Sequence, residues 1–389
     1  MKINSFYVHF IWMVLAFNDL NAQEFEVASC DPIEPINAFA RGEALEKAME
    51  KLVSSGVPGA SIAIFSDNGW WYTAKGYSRI EDKTSLEVCN LQYLQSVAKT
   101  YHAVAILKLY EQGKIDLEMS ISKYLPEKIS NYVTDAEKIT VKMLLNHTSG
   151  ISEYNFNPNY VAKLLQSPEY AFTGEEYLSY IKKKPLDFEP GSRYSYRNTN
   201  YVLLALILDE LTGDHEKFID DTIFKPLGLT RTFYRNDDNF LNYPELVNSY
   251  WDRNSTGIVE NATYLQRKNV EHMIGDDGIV TTPIEAIKFL KGLVEGKLLS
   301  EKTLALMKTW VKRDNGELAY GLGLSHVEVG GIEAYGHSGG GIGAGCELYY
   351  FPQKNLYYFI AINLGTVTYS PLHDEIEKVR SEIYSILLQ

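Results

Sequence analysis

The spacing of apolar residues changes period along this chain. Between residues 41 and 55 the apolar positions Leu45, Met49 and Leu52 recur at helical spacing. Ala60-Ser-Ile-Ala-Ile-Phe65 then reads as a buried strand, Ser66-Asp-Asn-Gly69 as a turn, and 70–76 as the hairpin partner. From Leu94 to Tyr110 almost every residue is apolar, small or aromatic, which predicts a helix buried nearly all round and ending at Gly113. Helical spacing dominates up to about residue 311, over 141–145, 174–184, 201–211, 283–294 and 301–309. The tail returns to strand patterns over 320–325, 326–329, 345–351 and 356–363, and 373–388 closes with a helix. Strands at both ends with helices between predict an α/β (α+β) fold. Its antiparallel sheet would be flanked by the N- and C-terminal helices, with a mainly helical part inserted. The sheet part is expected at about 40–95 and 312–389 and the helical part at about 96–311, with a cleft between them.

The first residues follow a different logic. Lys2, an apolar run from Phe6 to Phe17 and a polar stretch to Gln23 have the layout of a secretory signal over 1–22, cleaved after Ala22. That leaves 23–389 as the mature chain and predicts a periplasmic or secreted protein. The run is too short for a stable transmembrane anchor. Val27-Ala-Ser-Cys30 looks like a lipobox, but Glu24 and Glu26 separate it from the apolar run, which argues against lipidation at Cys30. A net charge of −13 disfavours nucleic acid and anionic membrane surfaces as partners. Cys30, Cys89 and Cys346 have no metal-ligand spacing. A Cys30–Cys89 pair with Cys346 left over is open, and three buried or free thiols is the simpler expectation.

Candidate chemistry starts at Lys99. It sits three residues after Ser96 on the buried helix, whereas Lys108, about half a turn round, can reach water. An ammonium buried without a partner responds by lowering its pKa. A desolvated lysine on the same helical face as a serine can take the hydroxyl proton. Ser-x-x-Lys occurs twice more, at Ser120–Lys123 and Ser179–Lys182, both in polar surroundings, so the Ser96 copy is the reactive candidate.

Two further stretches join it. A Pro190-Gly191 turn and a buried helix after Asn200 place Tyr196 and Asn198 on a loop between rigid elements. A tyrosine there, near a lysine ammonium, is expected to lose its proton more readily than its reference value implies, while the Asn198 amide grips Lys99 or a substrate carbonyl. Tyr-Arg-Asn recurs at Tyr234–Asn236, where it reads as a surface loop. Gly336-His-Ser-Gly-Gly340 matches a nucleophile elbow at Ser338, but glycines and a strand follow where a helix is required. The better reading is a glycine-rich strand edge whose N–H groups approach a ligand closely, with His337 as a donor above the site.

Ser96-Val-Ala-Lys99, Tyr196-Arg-Asn198 and His337-Ser-Gly339, in this order, resemble the three motifs of the serine β-lactamase and penicillin-binding-protein superfamily. The similarity is to its class C β-lactamase, DD-carboxypeptidase and esterase branch. Leu144-Leu-Asn-His-Thr-Ser-Gly-Ile151, Lys114-Ile-Asp-Leu117, Pro190-Gly191, Gly275-Asp-Asp-Gly-Ile-Val-Thr281 and Tyr320-Gly-Leu-Gly323 resemble it too. The resemblance implies acyl transfer on an amide or ester. Ser96 would be the nucleophile, Lys99 the base and Tyr196 the proton carrier to the leaving group. Asn198, His337, Ser338, Gly339 and Gly340 would bind substrate, with the N–H groups of Ser96 and Gly340 facing the oxyanion. No metal or organic cofactor is implied, and the partner is a small-molecule, peptide or ester substrate.

Two departures bear on the substrate. Class C enzymes carry Lys-Thr-Gly where this chain has His337-Ser-Gly339, and Arg197 replaces a serine or alanine. A histidine, mostly neutral at pH 7, favours a D-amino-acid peptide or ester over a β-lactam. A true β-lactamase or penicillin-binding protein is the alternative; a non-catalytic binding module would have no need to bury Lys99. Arg197 either meets a substrate carboxylate or turns outward to water.

Overall fold

A computed structural model describes residues 39–237 and 239–389. The expected signal segment, the lipobox and Cys30 lie outside the described residues. A nine-stranded sheet runs in the order Thr84–Ser85, Gly69–Arg79, Gly59–Ser66, Leu356–Ile362, Gly345–Phe351, Ile332–Gly340, Ser325–Val329, Leu318–Tyr320, Val311–Lys312. Every pairing is antiparallel. The pair Gly59–Ser66 and Leu356–Ile362 inside the sheet joins the two ends of the chain, with Ala60 opposite Ile362 and Phe65 opposite Tyr357. The sheet is therefore closed by strands nearly three hundred residues apart, as the strand–helix–strand pattern predicted.

Each face of the sheet carries its own core. On one face lie the terminal helices Gly42–Ser54 and Pro371–Leu388, with Leu45, Met49, Leu52, Ile383 and Leu387 buried against Ile62, Tyr349 and Tyr358. The opposite face carries the helix Ala98–Glu111, the helix Asn198–Thr212 and the helix Pro283–Val294 in one continuous core. All residues from Ala98 to Leu107 are buried, so this helix has no solvent face over that span. Each large aliphatic side chain enclosed there stabilises the fold by about 1.5–3 kcal/mol. That enclosure is what holds Lys99 away from water.

Some expectations shift. The helix predicted over 174–184 ends at Ser179, because Tyr180 to Lys184 turns back to bring Lys184 N–H to the Ile181 carbonyl. The strand predicted over 320–325 is a turn between two strands, with Gly321 N–H bonded to Leu324 O. Gly323 there has φ +83°, and a Cβ on it would lie 2.1 Å from Ala103 Cβ on the buried helix. Residues 92–281 are also less purely helical than their pattern implies, since Gln92–Tyr93, Val280–Thr281 and Thr232–Phe233 form a small sheet. Lys108 does not reach open water: it is half-buried and donates to Leu298 O at 2.8 Å. Cys89 is disulfide-bonded, against the expectation of three free thiols, while Cys346 is free and buried.

Candidate active site

Ser96 sits in a short 3-10 turn, Gln95–Val97, that leads directly into the helix Ala98–Glu111. Gln95 has φ +50°, a left-handed conformation that a non-glycine residue seldom adopts. Within the stretch 91–100 only Ser96 keeps partial exposure. Lys99 Nζ, fully buried, donates to Ser96 Oγ at 3.0 Å and to Asp276 O at 2.7 Å. Its ammonium also lies 5.1 Å from the Tyr196 ring centroid and 5.9 Å from that of Tyr201. Burial pushes the Lys99 pKa down to about 8, opposed by the charges of Asp276, Asp277 and Glu153. The decoy lysines Lys123 and Lys182 are exposed.

Tyr196 faces this pair from the loop before the helix Asn198–Thr212, and its Oη is buried without a well-formed hydrogen bond. Burial holds its pKa well above the ordinary phenol value; the Ser96 hydroxyl offsets this, while Asp276, Glu153 and Asp277 reinforce it. This corrects the expectation of an easily ionised tyrosine. The cost of desolvating a phenolate exceeds any help from Lys99, so Tyr196 is a neutral O–H donor at working pH.

Asn198 is the first residue of the helix rather than part of the loop. Its N–H donates to Glu153 Oε2. Its side chain makes no hydrogen bond to Lys99, whose two acceptors are Ser96 and Asp276. Arg197 turns away from the cleft. Its guanidinium reaches Asp187 Oδ2 (2.8 Å), Ile151 O (3.2 Å) and Tyr196 O (2.9 Å), which clamps the loop.

The strand Ile332–Gly340 crosses the Ser96 turn. Gly339 has to be glycine, because a Cβ there would lie 2.4 Å from Leu94 O. His337 is buried on the same face. Its Nε2 accepts from Tyr320 Oη at 2.8 Å and its Nδ1 donates to Ser338 O at 2.5 Å. Burial, helped by Lys99, pushes its pKa down to about 3. His337 is therefore a fixed neutral ring, neither a free donor nor a group that titrates near neutrality. Ser338 follows the strand alternation onto the opposite face. There it lines a cavity of about 580 Å³ together with Glu347, Tyr349, Arg380 and Tyr384. This cavity lies on the far side of the sheet from Lys99, against the terminal helix Pro371–Leu388. Ser338 is thus neither an elbow nucleophile nor placed to hold a substrate on Ser96. Ser338→Ala is expected to leave ester turnover within about twofold, because no hydrogen bond to substrate is lost; a fall of tenfold or more would place the side chain in the site.

Several residues around Lys99 had no assigned role in the sequence. Glu153, Asp276 and Asp277 are buried carboxyls, the first and last pushed up to about 7 by burial and Asp276 raised for the same reason. Tyr154 Oη donates to Asp276 Oδ2 at 2.9 Å. His147, Tyr201 and Tyr320 complete an aromatic enclosure. His147, Asp276, Asp277 and Tyr320 lie in the stretches 144–151, 275–281 and 320–323, whereas Glu153, Tyr154 and Tyr201 carry no local sequence signal of a site. In the second Tyr-Arg-Asn, read as a surface loop, Asn236 is exposed and Arg235 half-buried, but Tyr234 is fully buried, against expectation. Tyr234 Oη meets His102 Nε2 (3.2 Å) and His215 Nε2 (2.8 Å), and accepts from Gly275 N–H (3.2 Å). Among the described residues no group of His, Cys, Asp and Glu is arranged to hold a metal ion, and no helix is long and apolar enough to cross a membrane.

The beta-lactamase family profile matches residues 43–378, and the chain belongs to that family. It is 33% identical over 185 residues to Protein flp of Staphylococcus aureus, covering 46% of this chain and 35% of that protein. The chain thus spans about a third of that relative's length. Among solved structures it is similar to a D-stereospecific amidohydrolase from Streptomyces sp. at TM-score 0.73 and 25% identity, covering 83% of this chain and 94% of that one. The D-amino acid amidase of Ochrobactrum anthropi, at TM-score 0.75 and 22% identity with 89% and 99% coverage, shares the fold. The family and its structural neighbours are hydrolases of beta-lactamase and penicillin-binding-protein type.

Proposed function

We propose that this protein is an exported serine hydrolase that transfers an acyl group from an amide or ester to Ser96 and then to water. The observation that carries the reading is the fully buried Lys99 ammonium held 3.0 Å from Ser96 Oγ. In its free-base form Lys99 accepts the Ser96 proton as Oγ bonds to the substrate carbonyl carbon. The oxyanion that develops faces the N–H of Ser96 and, by family analogy, that of Gly340. One such donor contributes about 2.7–4 kcal/mol to the transition state. As the carbonyl–leaving-group bond breaks, Tyr196 donates its proton to the leaving atom and recovers one from the Lys99 ammonium. Water then attacks the acyl-enzyme by the same path reversed.

The substrate reading follows from the missing cation. His337 is neutral with both ring nitrogens engaged, and Arg197 is committed to Asp187 and two carbonyls. Neither offers a charge to a substrate carboxylate, which supports a D-amino-acid amide, an ester or a D-peptide without a free carboxylate beside the cleaved bond over a β-lactam. The similarity to a D-stereospecific amidohydrolase supports the same class. Export rests on the apolar segment and polar stretch before Gln23. Purified protein is expected to hydrolyse p-nitrophenyl esters or D-amino-acid amides faster than nitrocefin. Nitrocefin hydrolysis faster than every ester, amide and D-Ala-D-Ala peptide tried would overturn the substrate assignment.

A further inference from the structure

His147 holds Tyr196 from both sides. Its carbonyl accepts the N–H of Ser195 at 2.9 Å, and its ring Nδ1 accepts the N–H of Arg197 at 3.2 Å. Its ring lies 4.3 Å from the Tyr196 ring. The residues immediately before and after Tyr196 therefore hang on one residue about fifty positions earlier in the chain. A second donor, Asn200 Nδ2, reaches the same Nδ1 at 3.2 Å, and Ser149 Oγ fixes Asn200 by donating to its Oδ1 at 2.7 Å. With Nδ1 accepting, the ring proton is on Nε2.

His147 holds this place under two unfavourable conditions. Its backbone sits at φ +60°, and its buried Nε2 has no hydrogen-bond partner. Around it stand the rings of Tyr194, Tyr196, Tyr201 and Tyr320. A strained backbone and an orphaned donor gathered at one fully enclosed residue point to a positional role rather than to stability. The Tyr196 ring that His147 packs against is also the one lying 5.1 Å from Lys99 Nζ.

We propose that His147 is a positioning residue that sets where the Tyr196 hydroxyl stands relative to Ser96 and Lys99, and so decides how well a poor leaving group is protonated. The proposal rests on the acyl-transfer reading. Its signature is selective, because a p-nitrophenolate departs without a proton whereas an alkoxide does not.

The test compares p-nitrophenyl butyrate with ethyl butyrate, which deliver the same acyl group. His147→Gly tolerates the positive φ and removes the ring; His147→Asn tolerates it too and returns an oxygen acceptor near the place of Nδ1. H147G is expected to lower kcat on ethyl butyrate about 100-fold with KM little changed, and on p-nitrophenyl butyrate less than about tenfold. H147N should recover ethyl butyrate turnover to within about threefold of the parent, with circular dichroism confirming both folds. Equal losses on the two esters, no loss, or a folded H147N as poor as H147G would overturn the positioning role. Should H147G not fold, His147→Ala takes its place in the same comparison: a tenfold or greater fall in the ethyl-to-p-nitrophenyl rate ratio supports the role, and a ratio equal to the parent's overturns it. Ser96→Ala separates the two levels. Ester turnover surviving in S96A, or absent from the parent, sinks the acyl-transfer reading, whereas an inert S96A beside a normal H147G sinks only the role of His147.

Discussion

Ser96→Ala is expected to abolish both ester turnover and covalent labelling by a fluorophosphonate, with a loss of about 10⁴–10⁶-fold. Lys99→Ala should cost nearly as much, and the double variant scarcely more than either. The reason lies in the shared proton. Lys99 Nζ meets Ser96 Oγ at 3.0 Å and its other acceptor is a backbone carbonyl, so each group is inert without the other. Groups that act as a unit lose their effect once, not twice. Multiplying losses in the double variant would contradict the shared path. Ser120→Ala and Ser179→Ala serve as controls and should leave turnover unchanged, since Lys123 and Lys182 are exposed and their serines bond to local backbone.

The second large effect is on pH. For an uncharged ester, kcat/KM should climb about tenfold per unit from pH 6 and level off just above pH 8. Burial places Lys99 at about 8, and only its free base can accept the Ser96 proton. Below that value the ammonium dominates and activity falls; above it the base form is already complete. An ordinary lysine near 10.5 would have roughly 300-fold less free base at neutral pH. Asp277, itself held near 7, favours the ammonium when ionised, so the limb belongs to the group rather than to Lys99 alone. Removing that charge in Asp277→Asn should move the limb to lower pH. His337→Ala should leave it in place, because His337 does not titrate in this range. A limb in the parent protein above pH 9.5 would mean that Lys99 is not desolvated when the enzyme is free.

The pH behaviour also marks a limit of the sequence reading. His337 can be located from its glycine-flanked motif, and an ordinary histidine would sharpen carboxylate binding as pH falls. Its neutrality is set by burial in the assembled fold and by the charge of Lys99, which comes from a distant part of the sequence. Ser338 shows the same limit differently: a one-residue alternation sends it to the terminal-helix face, and no motif states which face is the cleft. The position of Tyr196 is legible in the sequence but its proton affinity is not, because desolvation and three carboxyls outweigh the nearby ammonium.

The sequence by itself determined whatever local period and composition encode. The mostly apolar helix carrying Lys99, the hairpin over residues 60–76, the strands near the C-terminus and the three motifs in order are all of this kind. They depend on neighbours within a turn or two of each residue. Only the tertiary structure decided which groups surround Lys99. Glu153, Asp276, Asp277, His147, Tyr201 and Tyr320 come from separate segments, and each is ordinary in its own local pattern. Burial is a property of the assembled packing, and so are the pKa of a lysine, the tautomer of a histidine and the direction an arginine takes. They follow from what the finished fold excludes from water.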